Sequence, residues 1–276
     1  MLLLGLLLGA CSPTALLNAT VSSAGVQVTK DVAYAPGNRR TLDVYRPVAA
    51  DGTAPLIVFL YGGSWRTGSK DLYPFVGRPL AARGAVVVVP DYRLYPEVQF
   101  PAFLQDQAQA VVWALGHARE LGADPARVFI VGHSAGAYDA AMLALDGRWL
   151  GAARGRVAGV AGLAGPYDFL PITDPDIIPV FAPVDDGPAS QPITYADGSN
   201  PPMLLLAGTE DTTVDPANTA RLAARIRALG GPVQSKFYPG IGHIGIVTAF
   251  APLFARRAPV LDDVWVFVGG RRPPPS

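Results

Sequence analysis

Short apolar runs alternate with longer amphipathic stretches along the first half of the chain. Residues 26–34 and 41–45 alternate apolar and polar side chains and are separated by turn residues, so they predict an antiparallel hairpin. Continuous apolar runs at 55–60 and 85–89 predict parallel strands that are buried on both faces. Residues 73–83 lie between these two runs and are compatible with the crossover helix that parallel strands need.

The second half of the chain continues this alternation of strands and helices. Residues 165–200 interrupt it, since they hold seven prolines and no clear periodicity, and they predict a cap insertion above the sheet. The whole pattern predicts an α/β fold with a mostly parallel, eight-stranded sheet and helices on both faces. The further predicted strands are 127–131, 157–163, 203–207 and 233–238, and the further predicted helices are 101–121, 137–145, 218–229 and 246–258, followed by an apolar stretch at 259–268.

The composition restricts both the domain number and the class of partner. With 276 residues, 50% of them hydrophobic and 16% charged, the chain can bury one large core, which we place in a single domain over residues 25–276. Lys plus Arg and Asp plus Glu both number 22, so the formal net charge is zero. This balance argues against a nucleic-acid partner or a polyanionic substrate and favours a neutral small molecule.

The N-terminal residues predict an exported protein. Residues 1–10 are apolar but too few to cross a bilayer as a helix, and they are typical of a signal peptide. They end in Leu-Gly-Ala-Cys at 8–11, which resembles the bacterial lipobox, and Cys11 is the only cysteine of the chain. The resemblance implies a lipoprotein of the bacterial cell envelope, periplasmic or at the outer membrane, anchored through a lipid at Cys11 with residues 11–24 as a tether. The alternative is an ordinary signal peptide with an incidental cysteine.

The sequence Gly132-His-Ser-Ala-Gly136 follows one apolar run and precedes a helix-compatible stretch. A G-x-S-x-G pattern between a strand and a helix is typical of a nucleophile elbow, in which a sharp turn holds the serine in a strained backbone conformation. Ser134 would then stand exposed at the carboxyl edge of the sheet. A glycine-rich connection that needs small residues only for close packing explains the glycines but not the serine at the apex.

A serine hydroxyl needs a base within hydrogen-bond reach, and the chain has three histidines. His243 lies in a glycine-rich loop directly after the predicted strand 233–238, and it is the predicted base. His133 sits beside the serine in the turn and should point away from it. His117 lies within a predicted helix, so both of these histidines are predicted to be structural.

Carboxylates follow the predicted strand 203–207, at the edge of the sheet where the nucleophile is expected. Asp211 is the predicted acid that orients the histidine, because the Asp-x-x-Val spacing lets Val214 pack inward while the carboxylate turns toward the histidine loop. Glu210 and Asp215 lie on the same stretch and are the alternatives.

A tetrahedral intermediate needs hydrogen-bond donors for its oxyanion. The predicted strand 55–60 is followed by Tyr61-Gly-Gly-Ser-Trp65, where the lack of side chains leaves backbone N–H groups free to converge. The predicted donors are the amides of Gly63, Ser64 and Ala135. A plain Gly-Gly turn is the alternative, but the position directly after the third strand favours the catalytic interpretation.

Together these motifs resemble those of α/β-hydrolase esterases, in the group of carboxylesterases that includes the hormone-sensitive-lipase, bacterial feruloyl esterase and kynurenine formamidase types. The resemblance covers roughly residues 25–276, and it implies an α/β-hydrolase fold with catalytic residues in the chain order Ser, Asp, His. The motifs are Tyr61-Gly-Gly-Ser-Trp65, Asp91-Tyr-Arg-Leu-Tyr-Pro-Glu97, Phe100-Pro101, Gly132-His-Ser-Ala-Gly136, Gly208-x-x-Asp211-x-x-Val214 and Gly240-x-Gly-His243.

One position departs from this family pattern. The family usually has a histidine where this chain has Tyr61, and that residue braces the oxyanion loop. We expect the tyrosine hydroxyl to take over this role. Asp91 and Arg93 are expected to form structural interactions beneath the site, with a direct role in substrate binding as the alternative.

Apolar and aromatic residues are expected to border the site. The predicted substrate-binding residues are Trp65, Phe169, Phe181 and Ile244. An apolar wall with few fixed charges suits a neutral ester with a small acyl group and disfavours charged substrates, whose desolvation it would not offset.

The predicted function is therefore a serine carboxylesterase that hydrolyses short acyl or aryl esters through an acyl-enzyme on Ser134. The alternatives are an arylformamidase-type C–N hydrolase with the same catalytic residues and a noncatalytic surface lipoprotein on a hydrolase scaffold. No cluster of metal-ligating residues stands out in the sequence, so no metal or other cofactor is predicted. Nothing in the sequence indicates an oligomeric state.

Overall fold

An eight-stranded β-sheet forms the centre of the structure, a computed structural model that describes residues 13–184 and 187–269. The strands are β1 (Val26–Ala33), β2 (Thr41–Pro47), β3 (Ala54–Leu60), β4 (Val86–Pro90), β5 (Ala123–His133), β6 (Val157–Leu163), β7 (Met203–Gly208) and β8 (Val233–Tyr238). Their order in the sheet is β1-β2-β4-β3-β5-β6-β7-β8. β1 and β4 each pair antiparallel with β2, and the other pairings are parallel, which confirms the predicted hairpin and the mostly parallel sheet.

Helices and short 3₁₀ turns connect these strands. The α-helices are α1 (Pro13–Ala19), α2 (Pro74–Ala82), α3 (Ala102–His117), α4 (Ala135–Leu145), α5 (Gly147–Leu150), α6 (Ile178–Phe181), α7 (Ala217–Ala228), α8 (His243–Thr248) and α9 (Val260–Phe267). Every residue of β3, β4 and β7 is buried. Because successive side chains of a strand point to opposite faces, both faces of the sheet are covered, as predicted for an α/β fold.

The carboxyl ends of the parallel strands bring the predicted catalytic residues to one edge of the sheet. Ser134 follows β5 directly, Asp211 comes shortly after β7, and His243 begins α8 in the segment after β8. The last residues of β7 and β8, Gly208 and Tyr238, are register partners. The segments that carry the acid and the base therefore start side by side.

The segment predicted as a tether, residues 11–24, contains a helix in the part that the structure describes. Leu17 of α1 is buried against the domain. The side chain of Asn18 accepts a hydrogen bond from the Phe75 amide (2.9 Å) and donates one to the Leu72 carbonyl (3.3 Å). In its described part this segment therefore packs on the domain through Leu17 and Val21, two apolar residues that lie four positions apart.

The predicted signal peptide at residues 1–10 and the predicted lipid attachment at Cys11 lie outside the described residues. Both stay predictions. Among the helices formed by residues 13–184 and 187–269, none is long and apolar enough to cross a membrane.

The predicted helix at 246–258 is wrong at both ends. α8 begins earlier and ends at Thr248, and the chain continues in turns until α9. Pro252 explains the early end, because a proline ring removes a backbone donor and clashes with the preceding helical turn.

The predicted cap insertion at 165–200 forms short elements in its described part. It holds the four-residue helix α6 and three 3₁₀ turns. Hydrogen bonds from the Phe100 amide to the Val180 carbonyl (2.9 Å) and from Tyr138 Oη to the Ser190 carbonyl (2.6 Å) tie it to the domain. The described part of this segment therefore packs against the domain beside the carboxyl edge of the sheet.

Candidate active site

Ser134 stands at the apex of the sharp turn between β5 and α4. Its backbone has φ 55° and ψ −121°, a conformation that costs a non-glycine residue on the order of 1–3 kcal/mol and persists only where the surroundings impose it. The Ser134 amide donates to the Leu163 carbonyl of β6 (2.9 Å), and the Ala137 amide donates to the Ser134 carbonyl (2.9 Å). This is the strained geometry predicted for a nucleophile elbow.

Two glycines of the motif allow strand, turn and helix to approach each other. A Cβ atom on Gly132 would collide with the backbone of Gly136, and a Cβ atom on Gly136 would collide with the Leu60 carbonyl at the end of β3. Backbone atoms cannot move aside as a flexible side chain can. Any larger residue at either position would therefore displace Ser134 from the sheet edge.

The side chains of Ser134, His243 and Asp211 form a continuous chain of hydrogen bonds. His243 Nε2 lies 2.8 Å from Ser134 Oγ, and His243 Nδ1 lies 2.8 Å from Asp211 Oδ2. Since a carboxylate only accepts hydrogen bonds, Nδ1 carries the imidazole proton and the lone pair of Nε2 faces the serine hydroxyl. The histidine is therefore placed to accept the serine proton.

The carboxylate of Asp211 is held rigidly, with 1% of its side chain exposed. Its second oxygen, Oδ1, accepts hydrogen bonds from the amides of Thr213 and Val214, each at 2.9 Å. These bonds leave Oδ2 for His243. Val214 is half-buried and lines the cavity described below, so it does not pack into the core as the sequence pattern suggested.

The two alternative carboxylates lie elsewhere. The side chain of Glu210 is exposed. Asp215 Oδ1 accepts a hydrogen bond from the Ala217 amide at the start of α7 (2.9 Å), so one of its oxygens is used there. Of the three candidates, the structure brings only Asp211 to His243.

The other two histidines have structural contacts, as predicted. His133 Nε2 donates to the backbone carbonyl of His243 (3.0 Å), and His133 Nδ1 has no hydrogen-bond partner among the described residues. Burial, and then the proximity of His243, lower the pKa of His133 to about 3, so its ring is neutral near pH 7 and supports the loop that carries His243. His117 stacks on Trp113 within α3, with ring centroids 4.1 Å apart.

The histidines and carboxylates of this site are arranged for hydrogen bonding and proton transfer. Both oxygens of Asp211 and both ring nitrogens of His243 have partners. In the part of the chain that the structure describes, no group of three or more His, Cys, Asp or Glu side chains could hold a metal ion. That the protein works without a metal stays a prediction.

Residues 61–68 form a strained loop at the end of β3. Ser64 and Trp65 have φ values of 54° and 56°, a left-handed conformation that side chains other than glycine rarely adopt. The amides of the next two residues both donate to the Gly63 carbonyl at 3.0 Å and close the turn. Two consecutive strained residues next to a candidate nucleophile indicate a loop shaped for function.

The predicted oxyanion donors are unpaired in this arrangement. Within the described ranges, the amides of Gly63 and Ser64 donate no hydrogen bond, and the amide of Ala135 is at the first position of α4, where a helix offers no acceptor. Ser64 and Ala135 line the same cavity as Ser134, whereas Gly63 does not line it.

Tyr61 anchors the start of the oxyanion loop through its hydroxyl group. Tyr61 Oη donates to Asp91 Oδ1 (2.7 Å) and accepts from Arg39 Nη2 (2.9 Å), which also donates to the Gly68 carbonyl at the other end of the loop (2.8 Å). Burial raises the pKa of Tyr61 far above its ordinary value. The tyrosine therefore braces the loop as expected. Arg39 was missed, because nothing local in a hairpin turn indicates such a distant partner.

Asp91 and Arg93 are both used in structural contacts, as expected. Asp91 Oδ1 also accepts from the Lys70 amide (2.8 Å). Arg93 forms a two-point ion pair with the buried Asp106, with both N–O distances at 2.8 Å. Neither residue lines the cavity beside the serine.

A cavity of about 420 Å³ opens beside Ser134. Trp65 and Phe169 line it, as predicted, but Phe181 and Ile244 do not. Phe181 is 1% exposed and packs edge-on against Trp65, at 4.9 Å between ring centroids, because it belongs to the aromatic core under the loop. Ile244 is 63% exposed and lines a separate groove, because one step along a helix turns a side chain by about 100° from its neighbour. The substrate-binding prediction is wrong for these two residues.

The lining of the cavity is more polar than predicted. Asp168 Oδ2 pairs with Arg221 Nε (2.5 Å), and Asp174 and Asp215 add two exposed carboxylates. The expected apolar wall with few charges is therefore wrong for this part of the lining. These residues come from loops that are distant in sequence, and no periodicity indicates that they meet.

Asp139 of α4 is a buried acid that the sequence did not indicate. It is fully buried, its Oδ1 accepts from Trp65 Nε1 (3.1 Å), and its Oδ2 lies 3.4 Å from Gln107 Nε2. Burial raises the pKa of Asp139 to about 8, although both hydrogen bonds act in the opposite direction. Gln107 Oε1 is buried without a partner in the described structure. A reversed Gln107 amide would let a protonated Asp139 donate to it, which satisfies both groups.

Replacing Asp139 with asparagine is expected to remove a pH dependence of stability. Between about pH 4 and pH 8 the folded protein keeps a proton that the unfolded chain has lost, so the free energy of unfolding falls as pH rises, by up to about 1.4 kcal/mol per pH unit. The asparagine amide is neutral throughout this range. Urea unfolding at pH 5, 6, 7 and 8 should show the variant gaining stability over the natural protein as pH rises.

Asp106→Asn is the matched comparison, since Asp106 is equally buried but paired with Arg40 and Arg93. Breaking such a buried pair costs about 3–5 kcal/mol, so this variant is expected to be destabilised. If the free energy of unfolding changed with pH in the same way for Asp139→Asn and the natural protein, a protonated Asp139 would be contradicted.

The fold and this geometry define an α/β hydrolase. The strand order, the elbow after β5 and the residues in the chain order Ser134, Asp211, His243 are the features of that class. The chain therefore has an α/β-hydrolase fold. The family model BD-FAE matches residues 42–177.

Several curated proteins and solved structures that resemble the chain are esterases. Isoprenylcysteine alpha-carbonyl methylesterase ICME of Arabidopsis thaliana is 25% identical over 262 residues, which are 86% of this chain and 61% of that protein. Esterase LipQ of Mycobacterium tuberculosis is 29% identical over 232 residues, which are 75% of this chain and 54% of that protein. A crystal structure of esterase B from Lactobacillus rhamnosis with a tributyrin phosphonate has a TM-score of 0.79 at 20% identity and covers 93% of this chain and 90% of that one. The chain thus spans between half and two thirds of the length of these two curated relatives.

Proposed function

We propose that the protein is a serine carboxylesterase that hydrolyses small neutral carboxylic esters through an acyl-enzyme on Ser134. One observation carries the proposal: the hydrogen-bond chain from Asp211 through His243 to Ser134 ends in a cavity that unpaired backbone amides also line. The similarity to esterases supports the same class of reaction.

In the first half of the proposed reaction, Ser134 Oγ attacks the ester carbonyl carbon while His243 Nε2 takes its proton. The carbonyl π electrons move to the oxygen, which accepts hydrogen bonds from the amides of Ser64 and Ala135. The C–O bond to the alcohol then breaks, and His243 returns the proton to the leaving oxygen. Asp211 keeps the imidazole in the required tautomer and stabilises its positive charge.

In the second half, water replaces the alcohol. His243 Nε2 removes a proton from the water as its oxygen attacks the acyl carbon, and the bond to Ser134 Oγ breaks when the second tetrahedral intermediate collapses. The proton passes from His243 to Ser134 Oγ, and the carboxylic acid leaves.

The lining of the cavity supports small uncharged substrates. A volume of about 420 Å³ is at the lower end of the range for small-molecule sites. Trp65 and Phe169 offer apolar surface for an acyl group, while the carboxylates of Asp174 and Asp215 disfavour an anionic substrate.

The proposal is tested by measuring kcat/KM of the full chain on p-nitrophenyl esters of increasing acyl length, methyl ferulate, a simple methyl ester and N-formylkynurenine. Short acyl esters are expected to exceed long ones by about tenfold or more, because acyl groups that outgrow the cavity lose their contacts. Turnover confined to the formamide would redirect the assignment to a C–N hydrolase. A folded protein that turns over none of these compounds would favour a noncatalytic scaffold.

A further inference from the structure

An apolar groove lies on the surface beside His243 and apart from the catalytic cavity. Its walls come from α1, α8, the turns after α8 and the segment before α2, and its volume is about 550 Å³. Its lining includes Leu16, Leu72, Ile244, Leu253, Phe254 and Arg257. It shares no lining residue with the cavity that holds Ser134, so the proposed reaction makes no use of it.

Four large aliphatic side chains of this groove are exposed to solvent. The exposed fractions are 61% for Leu16, 63% for Ile244, 58% for Leu253 and 39% for Leu72. A single exposed apolar residue is ordinary on a protein surface, but four around one groove form a contiguous patch, which is typical of a binding surface.

The charge of the groove favours an anionic surface. Among the described residues, Arg257 is the only charged side chain of its lining, and the neighbouring Arg256 is also exposed. Asp71, next to Leu72, lies within ion-pair distance of Lys30 (3.4 Å). Lys70 is 3.6 Å from Asp71 but is closer to Asp31 (2.6 Å) and Asp43 (3.0 Å), so the cations of the groove are Arg256 and Arg257. Cations around an apolar patch are the combination that binds to membranes with anionic lipids.

The position of the groove relative to the N-terminal sequence points to a membrane. Leu16 belongs to α1, which begins at Pro13. Cys11 is two residues earlier, and two residues span at most about 7 Å. Residues 1–10 are predicted from sequence to be a signal peptide, and Cys11 is predicted to carry a lipid that anchors the chain to a membrane. A chain held there would have this groove next to the bilayer.

We propose that the apolar groove is a membrane-docking surface. Its four exposed aliphatic side chains enter the interfacial layer of a bilayer, Arg256 and Arg257 contact anionic headgroups, and the catalytic cavity stays open to water. This proposal does not depend on the proposed esterase activity, because it concerns a surface that the reaction does not use.

A fluorescent label at the groove tests this directly in the full chain. Cys11→Ser removes the native thiol, and Leu253→Cys then carries an environment-sensitive nitrobenzoxadiazole label. On vesicles of equimolar phosphatidylcholine and phosphatidylglycerol, the emission is expected to shift to the blue and to be quenched by brominated acyl chains. The same label at Val112→Cys on α3, an exposed apolar residue away from the groove, is expected to do neither.

Variants of the charged and of the apolar residues, made in the labelled protein, separate the electrostatic from the hydrophobic contribution to vesicle binding. Arg256→Gln with Arg257→Gln is expected to raise the anionic lipid concentration needed for half of the shift by about fivefold for each charge removed. Leu16→Asp is expected to reduce the shift, whereas Val48→Asp, at another exposed apolar position, leaves it unchanged.

Three outcomes would overturn the proposal. A vesicle-bound protein whose label at position 253 neither shifts nor is quenched would show that another part of the chain holds it. A label that is blue-shifted without vesicles, with a shift that depends on protein concentration, would show that a second copy covers the groove. A blue shift without vesicles that does not depend on protein concentration would show that the chain itself covers the groove. Because the readout is fluorescence, a failure of the proposed esterase activity would leave this test interpretable.

Discussion

Replacing Ser134 with alanine is expected to lower kcat for ester hydrolysis by about 10⁶-fold, the size of loss seen when the nucleophile of a serine hydrolase is removed. The variant has no atom that can form the acyl-enzyme, and His243 loses the hydroxyl that it contacts at 2.8 Å. The backbone turn should persist, because the packing around Gly132 and Gly136 imposes it whichever small residue is at the apex. Burst and steady-state kinetics with p-nitrophenyl acetate measure the effect, and circular dichroism checks the fold.

Ser64→Ala is the matched control for this experiment. Ser64 also lines the cavity, but it is proposed to act through its backbone amide, which alanine retains. Its kcat is therefore expected to stay within a few-fold of the natural value. Hydrolysis by Ser134→Ala within tenfold of the natural rate would eliminate Ser134 as the nucleophile.

Replacing Asp211 with asparagine is expected to lower kcat by about 10⁴-fold while leaving the fold intact. The asparagine oxygen can still accept from the amides of Thr213 and Val214, so its NH₂ group would face His243 Nδ1. A donor in that place selects the tautomer with the proton on Nε2. The imidazole could then no longer accept a proton from Ser134.

Glu210→Gln is the control for Asp211→Asn, since it makes the same chemical change on the adjacent exposed residue. We expect its kcat to be unchanged within twofold. If Glu210→Gln lost activity and Asp211→Asn kept it, the acid would be assigned to the wrong carboxylate.

Much of the architecture was predictable, because it is encoded locally. Apolar runs such as 55–60 and 157–163 need cover on both faces, and the stretches that connect successive runs, such as 101–121, have the spacing of amphipathic helices that can provide it. The placement of Ser134, Asp211 and His243 followed in turn, since residues at the carboxyl ends of parallel strands meet at one edge of the sheet.

The parts that could not be predicted depend on contacts between distant segments. Phe181 is in the aromatic core and not in the cavity because Trp65, Phe103 and Tyr138 surround it, and these four residues come from four separate elements. In the sequence, Asp139 is one polar residue of a predicted helix. Only the structure shows that Trp65 Nε1 donates a hydrogen bond to it.

The errors at the ends of the chain have a different origin. α1 is seven residues long, and so short a helix is stable only through its packing on the domain, which the sequence does not reveal. The helix predicted over 246–258 ignores Pro252, which is visible in the sequence and indicates that a helix ends before it.

The hydroxyl of Tyr61 has a consequence for the conditions under which the protein could work. Esterases with the motifs of this chain usually have a histidine there, and an imidazole changes its charge near neutral pH. The phenol of Tyr61 does not, because the ordinary pKa of tyrosine, 10.0, is already far above neutral and burial raises it further, and burial lowers the pKa of His133 to about 3, so its ring is neutral at mildly acidic pH. Tyr61 and His133, which support the predicted oxyanion loop and the loop of His243, thus keep their charge state on mild acidification. Both side chains would therefore remain neutral hydrogen-bond donors at mildly acidic as well as at neutral pH.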